Sequence, residues 1–219
     1  MSDDTLDIDR YSRQRAEDYV RHHRKSPRTT LTTWRERQVL TTALRLAGSP
    51  DTVLDLPCGT GRFWPAIEAA GVRELIAADN SEGMLAQAAL ARLSPTLPTQ
   101  LLRTSAFAID LPDGCVPFVA SMRFFHHLAR AEDRLTALRE LHRVTTDHVA
   151  ISLWVDGNVQ AWRRRLQPEP VVEAGYGKRR CIARTQWEAE VARAGFSVAR
   201  RWSMWPGLTM WALYLLKKQ

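Results

Sequence analysis

Apolar residues along this chain follow two rhythms. Short unbroken runs alternate with longer stretches in which apolar positions recur every three to four residues. The runs predict strands at 52–56, 74–79, 99–103, 116–122 and 149–154, followed by two more at 196–205 and 208–216 around Pro206-Gly207. The longer stretches predict helices at 9–25, 31–47, 61–70, 81–92 and 130–143, and one opening at 185 and closing at Ala194-Gly195. Gly48-Ser49-Pro50 ends the second helix, Ser81 is placed to cap the fourth, and Thr185-Gln186-Trp187-Glu188 has the spacing of a capping box. Strands alternating with helices predict an α/β fold with a parallel, doubly wound sheet.

Two interruptions break the alternation. Arg21-His22-His23-Arg24-Lys25-Ser26-Pro27-Arg28 is a basic break closed by proline. Residues 156–182, with Arg163-Arg164-Arg165 and Gly175-Tyr176-Gly177-Lys178-Arg179-Arg180, form a polar and basic excursion after the fifth strand. The organisation expected is an N-terminal helical cap over 1–50 and a ligand-binding domain over 51–219, together one structural domain. The N-terminal helices are expected over the ligand end of the sheet or on its edge.

The chemistry concentrates where the first strand ends. Val53-Leu54-Asp55-Leu56-Pro57-Cys58-Gly59-Thr60-Gly61-Arg62 runs from a strand through a Gly-x-Gly turn into a helix. Glycine permits positive φ and lets a ligand approach without a Cβ in the way. The helix behind it offers free N–H groups and the positive end of its dipole. Twenty positions after Gly59, the second strand ends on Asp79, where a carboxylate accepts hydrogen bonds from ribose hydroxyls. Asp55, Gly59, Gly61 and Asp79 together predict a nucleoside-type cofactor. Trp64 stands where a dinucleotide fingerprint has its third glycine, which argues against a nicotinamide enzyme.

Composition narrows this further. The chain has 219 residues, 45% of them hydrophobic, with three cysteines too few and too scattered for a disulfide framework or a zinc site. No apolar run approaches the roughly 18–20 residues of a membrane span, and the N-terminus is polar and acidic, so a cytoplasmic protein is expected. The net charge of +7 is uneven: residues 1–50 carry +3, residues 51–156 carry −4 and residues 157–219 carry +8. The basic C-terminal third reads equally as a surface for an anionic substrate and as a solvated arginine-rich face.

Residues 53–63, Asp79-Asn80-Ser81-Glu82-Gly83-Met84-Leu85 and Ser121-Met122-Arg123-Phe124-Phe125-His126-His127-Leu128 resemble motifs of the class I S-adenosylmethionine-dependent methyltransferases, in their small-molecule branch. The resemblance covers about residues 32–216. It implies a Rossmann-like seven-stranded sheet of order 3-2-1-4-5-7-6 with strand seven antiparallel, flanked by N-terminal helices and carrying an insertion after strand five. The cofactor implied is S-adenosylmethionine. Gly59, Thr60 and Gly61 would wrap its methionine part, beside Asp55. Asp79 would hold the ribose, and Asn80 and Met84 would flank the adenine. Ser105 and Ala106 occupy the place where the family often reads the adenine amino group with a carboxylate, and Met122 belongs to the same cofactor-binding set. Pro57 and Pro117 depart from the family's usual glycine and aspartate. No metal is implied.

Methyl transfer needs the acceptor held in line with the methyl group, and a base only where the acceptor must lose a proton. His126 and His127 follow strand four at the edge where ligands bind and are the candidate bases, against a purely supporting role in the loop. His22 and His23 are candidates for substrate contact. Trp34, Trp64, Trp187 and Trp211 are expected in the core. Trp154, Trp162, Trp202 and Trp205 are expected to pack, with lining of an acceptor pocket as the alternative. The reading is a methyltransferase for a small, amphiphilic or lipid- or sugar-type acceptor of anionic character. A nucleic-acid methyltransferase and a non-catalytic cofactor-binding regulator are its rivals. Strand four lacks the Asn/Asp-Pro-Pro-aromatic loop of base amino methylation, which weighs against nucleic acid.

Overall fold

The structure is a computed structural model that describes residues 27–91, 97, 99–165 and 180–219. The helix expected over 9–25, His22 and His23 lie outside the described residues, as does the greater part of the excursion over 156–182. Two compact units divide the chain, residues 1–110 and residues 111–219. The seven strands follow the order β3-β2-β1-β4-β5-β7-β6, as expected.

In the first unit, α1 (Pro27–Leu46) leads to β1 (Thr52–Asp55), α2 (Trp64–Glu68), β2 (Glu74–Asp79), α3 (Glu82–Ala91) and β3 (Thr99–Arg103). β1 pairs with β2 and β2 with β3, all parallel. Val53, Leu54 and Asp55 are all buried, the signature of a strand covered on both faces. The helix expected at 61–70 begins only at Trp64, because Gly59 and Gly61 adopt positive φ and keep the chain in the turn. α2 is therefore short, and the carbonyls in it and at its two ends need partners. α1 supplies them from a stripe of donors four residues apart: Arg37 to Arg62 O, Thr41 to Ala66 O and Arg45 to Ala69 O. That choice of face sets what α1 buries. Val39, Leu40, Ala43 and Leu44 are inside, whereas Trp34 is 53% exposed, against the expectation that it belongs to the core.

The second unit holds β4 (Val116–Ser121), a single 3-10 turn at Phe125–His127, α4 (Ala131–Val144), β5 (Thr145–Trp154), α5 (Val159–Arg165), α6 (Arg184–Arg193), β6 (Phe196–Ser203) and β7 (Trp211–Lys218). β4 and β5 are parallel, and β7 runs antiparallel to both β5 and β6. β5 starts four residues earlier than its apolar run, directly at the end of α4. No glycine is needed there because Lys218 Nζ donates to the carbonyls of His142 and Thr145, closing the helix from β7. The edge strand β6 is shielded from edge pairing by a register shift between Val198 and Arg200 and by its exposed arginines Arg200 and Arg201.

The capping box at Thr185–Glu188 does not form. α6 begins at Arg184 after Ala183, and the first free N–H, that of Arg184, donates to Asp156 Oδ1 at 2.9 Å. A carboxylate 28 residues upstream does the work assigned to a local serine or threonine. Arg134 and Glu190 form a buried ion pair at 2.6 Å between α4 and α6, and Arg134 Nη1 also donates to the carbonyls of Leu128 and Ala129. That pair holds the chain just past the 3-10 turn.

Candidate functional site

In the first unit, the parallel register places Asp55 opposite Ala77, so β1 and β2 finish side by side with Asp79 two residues further on. The Cys58 N–H donates to Ala78 O at 2.8 Å and carries the pairing past Asp55 into the turn, where the Leu56–Pro57 peptide bond is cis. Gly59 (φ 54°) then turns back, and its N–H donates to Asp79 Oδ2 at 2.9 Å. The other carboxylate oxygen of Asp79 accepts the Ser81 N–H at 3.0 Å. Burial raises the pKa of Asp79, while the N–H groups of Ser81, Gly59 and Asn80 pull it back. A Cβ built on Gly59 meets nothing within 4 Å, which leaves open space over the turn.

Gly61 is different. It has φ 75°, and a Cβ there would lie 2.8 Å from the Trp64 ring. The indole packs on the bare glycine backbone, and its Nε1–H donates to Asp55 Oδ2 at 3.1 Å. The tryptophan in the third-glycine position thus orients the carboxylate of the first strand, a role that its position in the motif did not reveal. Oδ1 of Asp55 is buried and accepts no hydrogen bond. Burial, with a smaller contribution from the nearby Asp79 charge, pushes the Asp55 carboxyl up to about 8, despite the opposing Trp64 bond. Burial also pushes the Cys58 thiol up, so it is no nucleophile at neutral pH.

Around this turn the other candidates take distinct places. Thr60 is half-buried and Asn80 exposed at the end of β2. Met84 is buried in the first turn of α3, where its N–H donates to Ser81 Oγ, so Ser81 caps the helix as expected. Ser105 Oγ accepts the Phe107 N–H at 3.2 Å, and Ala106 is buried beside it.

Residues 54–151 match the methyltransferase domain profile. That stretch of the chain is therefore similar to a methyltransferase domain. An uncharacterized methyltransferase of Schizosaccharomyces pombe is 34% identical over 122 residues, covering 56% of this chain and 43% of that protein. The chain therefore spans less than half the length of that relative. Among solved structures, magnesium protoporphyrin IX methyltransferase from Synechocystis PCC 6803 with bound SAH superposes with a TM-score of 0.72 at 13% identity, over 97% of this chain and 98% of that one. A methyltransferase from Clostridium acetobutylicum gives 0.70 at 13% identity, over 92% and 98%. At such identities the likeness is one of fold, and it agrees with the strand order.

The methyltransferase candidates of the second unit follow β4. Met122 is buried, and Arg123 adopts φ 59°, the left-handed region that a bulky side chain enters at a cost. Its N–H donates to Ser152 Oγ at 2.8 Å and its guanidinium lies 5.0 Å from the Trp211 ring centre. His126 is 1% exposed, stacked on Trp154 at 5.4 Å, edge-on to Trp211 at 5.0 Å and against His127 at 4.2 Å. His127 is half-buried. Of the tryptophans expected inside, Trp64 and Trp187 are buried and Trp211 is half-buried; Trp154 is buried, whereas Trp162 and Trp205 are exposed. Among the described residues no group of His, Cys, Asp or Glu could hold a metal ion, and no helix is long and apolar enough to cross a membrane.

Proposed function

We propose that the chain transfers the methyl group of S-adenosylmethionine to a small or amphiphilic acceptor of anionic character. The observation that carries the reading is Asp55 Oδ1, a buried carboxylate oxygen with no hydrogen-bond donor, at a turn whose Gly59 faces open space. An orphaned buried acceptor costs free energy that an incoming cationic donor recovers. The donor set fits the cofactor: Asp55 takes the ammonium of its methionine part, beside the backbone of Gly59, Thr60 and Gly61. Asp79 accepts two N–H groups and keeps further lone pairs for the ribose hydroxyls. Asn80, Met84, Ser105 and Ala106 complete the cofactor-binding set of the first unit.

When bound, the cofactor would supply an electrophilic methyl on a sulfonium, with the neutral thioether as leaving group. The chain's part is to hold and orient. Where the acceptor must lose a proton, His127 is the proposed base, because it keeps solvent access that His126 lacks inside its aromatic stack. Arg123 and Arg164, each over a tryptophan ring, support an acceptor with negative charge. Calorimetry with S-adenosylmethionine and its demethylated product tests the core of the proposal. We expect both to bind, and Asp79→Ala to weaken binding at least a hundredfold. No binding of either ligand, or binding indifferent to that substitution, refutes it.

A further inference from the structure

A second surface lies in the second unit, on α5 and the turn before β7. α5 carries Val159, Trp162 and Arg163 at i, i+3 and i+4, so they share one helix face, and all three are exposed. Trp162 is 61% and Val159 45% exposed. The opposite face carries Ala161, packed with Trp154 and Met210, and Arg164, whose guanidinium lies over Trp154. The helix is therefore anchored by one side and presents the other.

The loop before β7 brings more apolar surface to the same place. The Val159 and Gln160 N–H groups donate to the carbonyls of Gly207 and Leu208, and Gln160 Oε1 accepts the Met210 N–H. These bonds tie the turn at 205–209 to the start of α5, so Trp205 and Leu208, which is 63% exposed, join the face. Two tryptophans, a leucine and a valine thus stand in water beside Arg163, in the third of the chain that carries +8.

We propose that this face docks onto anionic lipid headgroups at a membrane surface. Tryptophan rings and short apolar side chains enter the boundary between headgroups and acyl chains, while arginine stays at phosphate level. Exposed Arg163 on the face, within a third of the chain that carries +8, is complementary to an anionic leaflet. A second copy of the chain fits less well. The four side chains expose on the order of 400 Å², against roughly 800 Å² per partner in a standard interface, and two copies would bring like charges together. The proposal does not depend on methyl transfer.

The test is co-sedimentation of the full chain with vesicles of phosphatidylcholine alone and of equimolar phosphatidylcholine and phosphatidylglycerol. We expect binding to the mixed vesicles, weak binding to the neutral ones, and release by salt. The double substitution Trp162→Gln with Leu208→Gln should weaken binding at least tenfold, and Arg163→Gln about fivefold. Leu90→Gln, still more exposed but in the first unit, should leave binding unchanged. All of these are surface positions, and circular dichroism checks that each variant folds. No binding to mixed vesicles overturns the proposal, as does binding that the double substitution leaves intact. A concentration-dependent dimer that the double substitution dissociates assigns the face to a second copy and overturns it too.

Discussion

Asp55 gives the sharpest prediction. Its carboxyl is buried, has one oxygen on the Trp64 indole and one without a donor, and is pushed up to about 8 from an ordinary 3.8. The folded, ligand-free chain holds this proton up to about pH 8, whereas the unfolded chain releases it near pH 4. The folded state thus binds more protons across that window, and stability falls as pH rises through it, reaching its full loss above pH 8. The upper limit of that loss is about 6 kcal/mol at about 1.36 kcal/mol per pH unit. Asp55→Asn should remove this dependence and make the apo chain more stable than the wild type at pH 8 and above.

A cofactor ammonium against Oδ1 requires the ionised form, so cofactor binding must expel the proton below pH 8. Affinity for S-adenosylmethionine should then rise by about fiftyfold from pH 6 to pH 8 and level off above. Calorimetry in buffers of different ionisation enthalpy should show close to one proton released at pH 6. The cofactor's own amine titrates in part of this range, so the quantity to compare is the wild-type slope minus that of Asp55→Asn. Equal slopes for the two proteins would refute the role assigned to Asp55, and a pH-independent apo stability would refute the burial argument beneath it.

Three further outcomes follow from the packing. Gly61→Ala sets a Cβ 2.8 Å from the Trp64 ring in a positive-φ position, and should cost about 2–4 kcal/mol in urea unfolding and loosen the Asp55 carboxylate. Arg134→Ala leaves Glu190 buried without its cation and should cost about 3–5 kcal/mol, whereas Arg134→Met with Glu190→Leu should cost far less. Asp156→Ala removes the cap of α6 and should lower stability by about 1 kcal/mol, with faster amide exchange at residues 184–187.

The succession of strands and helices was legible because it follows from local rhythm, whereas the order of the strands in the sheet was expected only from the resemblance to the methyltransferases. Apolar runs, glycine and proline stops and the strand–helix alternation each depend on neighbouring residues. Asp55, Gly59, Gly61 and Asp79 were legible for the same reason, since one βαβ unit sets their spacing. The helix over 61–70 was read too long because its apolar residues begin before its backbone turns helical, and β5 too short because Thr145–His148 are polar. Trp34 was misplaced because helical spacing says which residues share a face but not which face is covered.

By itself, the sequence determined the α/β alternation, the strand lengths to within a few residues and the glycine turn between two carboxylates, all interactions of short range. Tertiary structure decided how those parts are held and used. It set Trp64 on Asp55, Asp156 at the head of α6, Lys218 at the end of α4 and the 205–209 turn beside α5. Most of these are polar contacts between residues far apart in the chain. A hydrogen bond carries no periodicity, so its partner becomes visible only when the fold brings the two groups within 3 Å or so.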